Sequence, residues 1–449
     1  MLSSFYGMIL YNILQRKCKV MKQSKKLLNT VLFLLVICVF SINIVHSEPL
    51  NQKGSVYFFN FKPEADEAWQ ELAKLYTEKT GVSVKVVTKT NAYYLDELCD
   101  RLNSSNPPTL FQVAPATLND LEGYCFNLAK TDFYKELNNE AYALKDKYER
   151  VCGVAYAVET YGIIVNRDLL EKAGYDVNDI TSLYELQNIA EDITSRREDL
   201  GFSAFCSAGM DKSSDWRFKT HLANMPIHFE YLDKNSNLLK KIDGEYLDNF
   251  RTVWNLYINN STVCPDELFV TTVDEARDEF IKGKAVFYQN GSWEYVNLIN
   301  SGFNKYKLAM IPLYFGVGDE QNQGLCTGTE NYWSINKKAS VRDIKATLDF
   351  ITWCVTSEEG TKAMAQKMGF YIPFRKAAYS ENIFIQQNAI YTAMGKDPVS
   401  WDFTTIPSDV WKTQLGLALT HYAANQTDYN WDKVVHCFVD NWEKEYKNK

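Results

Sequence analysis

Apolar and polar positions follow strand-like and helix-like spacings in turn after the first fifty residues. The run at residues 55–61 is almost wholly apolar and predicts a buried strand. Pro63 then opens a segment with apolar residues at helical spacing, and Gly81 ends it. Residues 82–86 alternate between valine and other residues, which predicts the next strand.

The following segment repeats this order and predicts a parallel sheet. A helical pattern over residues 95–102 is followed by Pro107 and Pro108 and then by a strand at residues 109–113. Alternating strands and helices imply right-handed crossovers with helices on both faces of the sheet. Ligands of such sheets bind beyond the carboxyl ends of the strands. Those ends lie at residues 60–61, 89–93 and 112–115.

The middle of the chain predicts a second sheet. An apolar run at residues 156–166, interrupted by Glu159, indicates a strand that leaves one lobe for another. Further helices are predicted at residues 169–173, 182–199 and 343–353, and further strands at residues 203–207, 306–312 and 331–335. Thr356 and Glu359 have the spacing of a capping box for the next helix.

One helix–strand–turn segment points to a cleft. A helical pattern stops at Gly283, a strand follows at residues 285–289, and the pair Asn290 and Gly291 predicts a turn that presents Trp293. A large aromatic residue on a turn beyond a strand end is well placed to line a cleft. An indole face packs well on the C–H face of a sugar ring.

The first 47 residues have the order of a secretory signal. Six basic residues and no acidic one accompany an apolar run at residues 31–40, and residues 45–47 form a plausible cleavage site before Glu48. Met21 looks like the natural start of this signal. An uncleaved membrane anchor stays open as the alternative. Either interpretation predicts export to the cell surface or beyond.

Composition narrows the classes of ligand. The 449 residues suffice for two or more domains. Without residues 1–47, the remaining 42 basic and 56 acidic residues give a net charge of −14, which argues against a nucleic-acid ligand. Eight of the ten cysteines would remain, without a Cys-x-x-Cys pair or zinc-ligand spacing. We therefore expect free buried thiols, with one or two disulfides left open, and no metal site.

Five stretches of the chain are informative because of the order in which they occur. They lie at residues 54–81, 153–174, 283–293, 328–360 and 369–373. They carry the motifs Tyr-Thr-Glu-Lys-Thr-Gly, Tyr-Gly-Ile-Ile-Val-Asn-Arg, Asn-Gly-Ser-Trp, Ser-Glu-Glu-Gly and Gly-Phe-Tyr-Ile-Pro. This order resembles the family 1 extracellular solute-binding proteins of sugar ABC transporters, the maltose-binding-like group. The resemblance covers nearly everything from Gly54 to the carboxyl terminus.

The resemblance implies an α/β fold of the type II periplasmic-binding-protein kind. Each of two lobes would hold a mainly parallel sheet flanked by helices, with a hinge between the lobes and a ligand in the cleft. The first lobe would comprise residues 54–157 plus about 327–353, and the second about 158–326 plus 354–449. The implied partners are a small carbohydrate and the permease subunits of an ABC transporter. We expect a monomer without a cofactor.

Glu159 and Trp293 are the main candidates for ligand contact. A carboxylate within an apolar strand costs free energy unless it is paired or faces a polar cavity. Glu159 matches an acidic ligand-contacting position of the family, while a hinge salt bridge remains an equal alternative. Trp293 matches the stacking aromatic of the family. Asn290 is either a ligand-binding amide or only a turn residue.

The other candidates lie on loops and at predicted strand ends. Trp216 and Arg217 follow a strand, and the Arg217 guanidinium offers a planar fork of donors. The alternative is a helix start with Asp215 as its cap and Trp216 in the core. The remaining candidates are Asn60, Phe61, Gln112, Glu330, Tyr332 and Arg375. Glu330 and Tyr332 could instead belong to a polar network within the loop.

Three classes of function remain compatible with the sequence. The first is a non-catalytic carbohydrate receptor for import. The second is a glycoside hydrolase that uses Glu159 and Glu330 as paired carboxylates. The third is a receptor for another solute, such as a polyamine, because Glu159, Asp215 and Glu330 would suit a cation. The sequence contains no nucleophilic triad spacing, phosphate loop or dinucleotide fingerprint.

Overall fold

The computed structural model describes residues 53–89 and 91–447, so the predicted signal at residues 1–47 lies outside the described part. Two six-stranded sheets are flanked by helices, which confirms the predicted α/β class. The strands are β1 (Ser55–Asn60), β2 (Ser83–Thr88), β3 (Leu110–Val113), β4 (Ala143–Lys145), β5 (Val151–Ala155), β6 (Glu159–Asn166), β7 (Ser203–Phe205), β8 (Ala285–Gly291), β9 (Leu308–Ile311), β10 (Gln323–Gly328), β11 (Tyr332–Ile335) and β12 (Asp397–Ser400).

The α-helices lie on both faces of the sheets. They are α1 (Asp66–Thr80), α2 (Asn91–Leu102), α3 (Leu118–Leu121), α4 (Asp132–Lys135), α5 (Arg167–Ala173), α6 (Leu183–Ser195), α7 (Arg197–Leu200), α8 (Asn224–Asp233), α9 (Leu247–Asn259), α10 (Val273–Ile281), α11 (Glu294–Asn300), α12 (Val341–Thr356), α13 (Glu358–Lys362), α14 (Ile383–Ala393), α15 (Asp409–Ala424) and α16 (Asp428–Lys447). Among the described helices, none combines the length and apolar character needed to cross a bilayer.

The first sheet has the strand order β2-β1-β3-β11-β5-β4. Strands β1, β2 and β3 are parallel, as predicted from the strand–helix alternation. Strand β11 comes from far along the chain and pairs antiparallel with both β3 and β5. As a result, β1, β2, β3 and β5 end at the same edge of the sheet.

The second sheet has the order β12-β10-β6-β8-β7, with β9 also paired to β6. Strand β6 is antiparallel to β8, β9 and β10, whereas β7 is parallel to β8 and β12 is parallel to β10. Strands β7, β8, β10 and β12 therefore end at one edge, where β6 begins.

The sheets are more mixed than the prediction of mainly parallel sheets. The reason lies in short connections that join the two sheets at residues 156–158 and 329–331. A strand that comes directly from the facing edge of the other sheet must begin where its new neighbours end. Both β6 and β11 therefore run against the strands beside them.

The hydrophobic cores follow the sheets. The core around the first sheet includes Trp69 of α1, Trp333 of β11 and Phe350 of α12, and it extends through Met364 to Phe374. Residues 354–374, which the sequence placed in the second lobe, thus share the first core. We propose on this basis that the first lobe extends to about residue 374. The core of the second sheet includes α6, α9, α15 and α16.

Two local predictions were wrong. Asn290 and Gly291 belong to the end of β8 and pair with β6, so the chain turns only after them. The cap of α13 is Ser357, whose hydroxyl accepts from the backbone N–H of Gly360, and not Thr356. Thr356 Oγ1 instead donates to the carbonyl of Thr352, one helical turn earlier.

The cysteines of the described region are all free thiols. Five of the eight are buried, which agrees with the expected buried thiols. The alternative of one or two disulfides has no counterpart among the described residues. Cys264 is the exposed member of this set.

Candidate functional site

The carboxyl edges of the two sheets face each other, because the crossing connections join these same edges. Two contacts between the sheets support this arrangement. The turn Pro115–Thr117 after β3 lies against the turn Asp402–Thr405 after β12. The turn Pro63–Ala65 after β1 lies against α11, which begins just after β8. Ligands of open α/β sheets bind at such edges, so this cleft is the candidate site.

Five rings form a cluster at the edge of the second sheet, and we call it the aromatic cradle. Its members are Trp216, His221, Trp293, Trp401 and Phe403. The ring centroids of Trp216 and Trp293 lie 5.9 Å apart, and those of Trp293 and Trp401 lie 6.4 Å apart. His221 lies 5.4 Å from Trp293 and 4.9 Å from Phe403. Trp216 and Trp293 are partly exposed, so part of the indole surface of the cradle is accessible.

Two glycines let the tryptophans lie on the backbone at the ends of β8 and β10. A Cβ atom at Gly291 would collide with the six-membered ring of Trp293. A Cβ atom at Gly328 would lie 2.6 Å from Cγ of Trp401. Because β6 pairs with both strands, these two contacts flank its first residues, Glu159 and Thr160. Gly291, which the sequence predicted to be a turn residue, is thus a strand residue whose missing side chain leaves room for Trp293.

The cradle contains polar nitrogen atoms that no described residue satisfies. His221 Nδ1 and Trp401 Nε1 are buried without a hydrogen-bond partner, and their residues are only 6% and 7% exposed. His221 stacks on Tyr161 with centroids 4.4 Å apart. Burial, reinforced by the positive charge of Arg217, lowers the pKa of His221 to about 3. The imidazole is therefore neutral at ordinary pH and can exchange a hydrogen bond with a neutral group.

Arg217 does not offer the free donors predicted from the sequence. Its guanidinium is buried and donates to the carbonyls of Ser207, Ala208 and Gln289. It lies in a π-helical turn that follows Trp216, and burial lowers its pKa. Arg217 thus supports the ends of β7 and β8 from within the lobe, because its terminal nitrogens are used by backbone oxygens.

A buried ion pair joins the two sheets. Lys62 follows β1, and Glu159 is the first residue of β6. Lys62 Nζ lies 2.8 Å from Oε1 and 2.7 Å from Oε2 of Glu159. Burial alone would lower the pKa of Lys62, but the attraction of Glu159 and Glu64 outweighs it, so the pKa is raised. The salt bridge that the sequence analysis gave as the alternative role of Glu159 is therefore present.

Two further carboxylates lie beside this pair. Glu64 Oε1 is 3.5 Å from Lys62 Nζ, and Glu330 lies in the connection between β10 and β11. Burial raises the pKa of Glu64 despite the nearby charge of Lys62. Burial also raises the pKa of Glu330, against the attraction of Lys412 and Lys62. Both carboxylates are thus incompletely compensated.

The predicted strand-end residues of the first sheet form a hydrogen-bonded floor. The Asn60 side chain donates to the carbonyl of Lys62 at 2.9 Å, and Gln112 accepts from the backbone N–H of Phe61. The amide of Gln112 also donates to the hydroxyl of Tyr156. Asn60 and Gln112 are buried, while Phe61 is partly exposed. These bonds hold the β1 end where Lys62 reaches Glu159.

Three other predicted residues lie in different settings. Asn290 is buried, and its amide donates to Tyr288 and Glu294 at 2.7 and 3.2 Å. Tyr332 belongs to a core cluster of the first sheet, where burial raises its pKa to about 12. The side chain of Arg375 is exposed. A direct role in binding therefore has less support for these residues than for Trp293 and Glu159.

Sequence reasoning missed Lys62, Glu64, His221 and Trp401. Lys62 and Glu64 flank Pro63, within a connection that has no periodic pattern. His221 and Trp401 approach each other only in the folded chain, at a centroid distance of 6.1 Å. The rule that ligands bind beyond strand ends could have found Trp401, because it directly follows the short strand β12.

Comparisons with known proteins agree with this fold. A family model described as bacterial extracellular solute-binding protein matches residues 71–393. A family 1 extracellular solute-binding protein from Bifidobacterium longum subsp. infantis is 19% identical, with 87% of this chain and 99% of that chain covered and a TM-score of 0.61. RafE, in complex with raffinose, is 18% identical, with the same coverage and a TM-score of 0.70.

A third similar structure is the GacH receptor of Streptomyces glaucescens, described unliganded and in complex with acarbose. It is 16% identical, with 88% of this chain and 99% of that chain covered and a TM-score of 0.66. At these identities the structural likeness concerns the fold.

We predict that Gly291→Ala destabilises the protein by about 1–3 kcal/mol, because the added methyl group would displace the Trp293 ring from a packed position. Chemical denaturation would measure the change. Gly123→Ala is the matched control, since a Cβ atom there meets no atom within 4 Å. Equal stability of both variants would contradict the packing argument.

We predict that Lys62→Met lowers the free energy of unfolding by about 3–5 kcal/mol, because it leaves the Glu159 carboxylate buried without its partner. The double variant Lys62→Met/Glu159→Gln should recover much of this loss, since position 159 then carries no unpaired charge. Urea denaturation of the two variants checks both statements. A single variant as stable as the unmodified protein would show that the pair is not buried in solution.

We predict that Glu64→Gln and Glu330→Gln each raise the melting temperature near pH 7. The folded-state pKa of both groups lies above the ordinary 4.5, so any stability they contribute is present below that pH and is lost as the pH rises through the folded-state value. The gain should shrink toward pH 4. Thermal unfolding at both pH values measures it, with the exposed Glu198→Gln as control.

Proposed function

The chain belongs to the bacterial extracellular solute-binding protein family, and we propose on this premise that it binds a carbohydrate in the cleft between its sheets. The bound sugar would be handed, chemically unchanged, to the permease of an ABC importer. We also propose that residues 1–47 direct export and that closure of two hinged lobes traps the ligand. A ligand that touches both lobes stabilises the closed form through these differential contacts.

The aromatic cradle is the observation that carries this proposal. Trp216 and Trp293 present partly exposed indole rings at the edge of the second sheet. Sugar rings have apolar C–H faces that pack on indoles, while their hydroxyls require hydrogen-bond partners. The unpartnered nitrogens of His221 and Trp401 can serve as such partners.

The solved relatives support the choice of a carbohydrate over other solutes. RafE was observed with raffinose and GacH with acarbose, and both of these ligands are oligosaccharides. A polyamine is a weaker candidate, because its methylene and ammonium groups contain no acceptor for the indole N–H of Trp401. A glycoside hydrolase would cleave its ligand, which the proposed receptor releases intact.

We predict that Trp293→Ala and Trp401→Ala each weaken saccharide binding tenfold or more, because an aromatic anchor typically contributes on the order of 2 kcal/mol or more. Calorimetric titration with mono- and oligosaccharides measures the affinity. Tyr184→Ala, at a residue that is 72% exposed, is the control and should bind normally.

Chromatography of the recovered ligand completes this experiment. Intact saccharide is the expected result, whereas cleavage products would favour the hydrolase. If no saccharide binds the unmodified protein, the proposed function is wrong.

A further inference from the structure

The electrostatic neighbours of Lys62, Glu64 and Glu330 include both carboxylates and cations. The carboxylates are Glu64, Glu159, Glu294, Glu330 and Asp409, and cations that contact them are Lys62, Arg277 and Lys412. The ion-pair distances show which of these carboxylates lack a close cationic partner of their own.

Three of the carboxylates already have close cationic partners. Both oxygens of Glu159 contact Lys62 Nζ. Glu294 is bound by Arg277 through two nitrogen–oxygen contacts of 2.6 and 2.9 Å.

Asp409 lies 3.0 Å from Lys412 Nζ. Glu64 and Glu330 are therefore the two carboxylates of this group without a close cationic partner of their own. Glu64 has only the 3.5 Å approach to the already paired Lys62, and Glu330 has no ion pair with any residue that the structure describes.

Glu64 and Glu330 lie on chain segments that are next to the aromatic cradle. The turn Pro63–Ala65 lies against α11, and Trp293 directly precedes that helix. Glu330 follows Gly328, on which the Trp401 ring packs. The cradle itself contains the unpartnered, more than nine-tenths buried nitrogens of His221 and Trp401, which point independently to a polar ligand.

We propose, building on the proposed function, that the ligand is an amino sugar whose ammonium group is bound by Glu64 and Glu330. The saccharide ring packs on the indoles of the cradle. A ring or hydroxyl oxygen accepts from Trp401 Nε1, and a hydroxyl exchanges a hydrogen bond with His221 Nδ1. The first lobe and the crossing connection supply charge, while the second lobe supplies the rings.

Physical chemistry favours a cation at this position. A partly desolvated carboxylate without a counter-charge is costly, and an ammonium group relieves that cost by forming charge-assisted hydrogen bonds. Indole faces also attract a cation through their quadrupole. A simple polyamine would meet the charge requirement but would leave Trp401 Nε1 without an acceptor. An amino sugar satisfies both parts of the site.

The test compares ligands that differ only at the amino group. Glucosamine and its β-1,4 disaccharide are titrated against their N-acetylated forms and against glucose and cellobiose, by calorimetry near pH 7. Galactosamine, N-acetylgalactosamine and galactose form a second matched set. We expect the free amine of at least one set to bind about tenfold or more tightly than its neutral counterparts. This preference should fall as salt is added.

The variant Glu64→Gln/Glu330→Gln should abolish most of the preference for the amine while it still binds the neutral sugars. Glu198→Gln, at a side chain that is 93% exposed, should retain the preference. Melting temperatures establish that both variants are folded.

Equal or tighter binding of the neutral sugars would overturn the amino-sugar inference and leave the proposed function intact. An unchanged preference in the double variant would overturn the role of these carboxylates. Binding of spermidine without any saccharide would overturn both the inference and the proposed function.

Discussion

The buried ion pair of Lys62 and Glu159 connects the two sheets at the point where the chain passes from one to the other. Lys62 follows the first strand of one sheet, and Glu159 begins the strand that enters the next. Because β6 starts at the facing edge, it must run against β8 and β10. The same constraint orients β11 in the first sheet. This ion pair lies both in the candidate site and at the connection between the lobes. Lys62 and Glu159 therefore belong to both.

The aromatic cradle depends on close approach to the backbone. Gly291 and Gly328 end neighbouring strands on either side of β6, and each lies beneath an indole. A side chain at either position would lift its tryptophan and enlarge the spacing between the rings. Arg217 supports the same edge from behind by binding the carbonyls at the ends of β7 and β8. The ring positions therefore depend on backbone geometry as well as on contacts among the rings.

Much of the fold was predictable because its signals are local. Gly81 ends α1 with a left-handed φ of 72°, as a glycine after a helical pattern predicts. The site was less predictable, because its parts meet only in three dimensions. Asn290 and Gly291 look like a turn from their residue types, yet both pair with β6 and belong to strand β8. From the sequence, the guanidinium of Arg217 looks available to bind a ligand. The structure shows that it is buried and bound to backbone carbonyls. Nothing local indicates that Lys62 would meet Glu159, ninety-seven positions away.

The cleft divides its chemistry between its two sides, and this division has a thermodynamic consequence. Carboxylates and a lysine come from the β1 end and the crossing connections, while the rings come from the second lobe. In the proposed receptor, a ligand that touched one side alone would gain either stacking or polar contacts, and it would leave the other side solvated. Only a ligand with both an apolar face and suitably placed polar groups would gain both sets of contacts, and only such a ligand would favour the closed arrangement over the open one. Selectivity and closure would then arise from the same interactions, because a solute that lacks either feature cannot supply the free energy that closure requires.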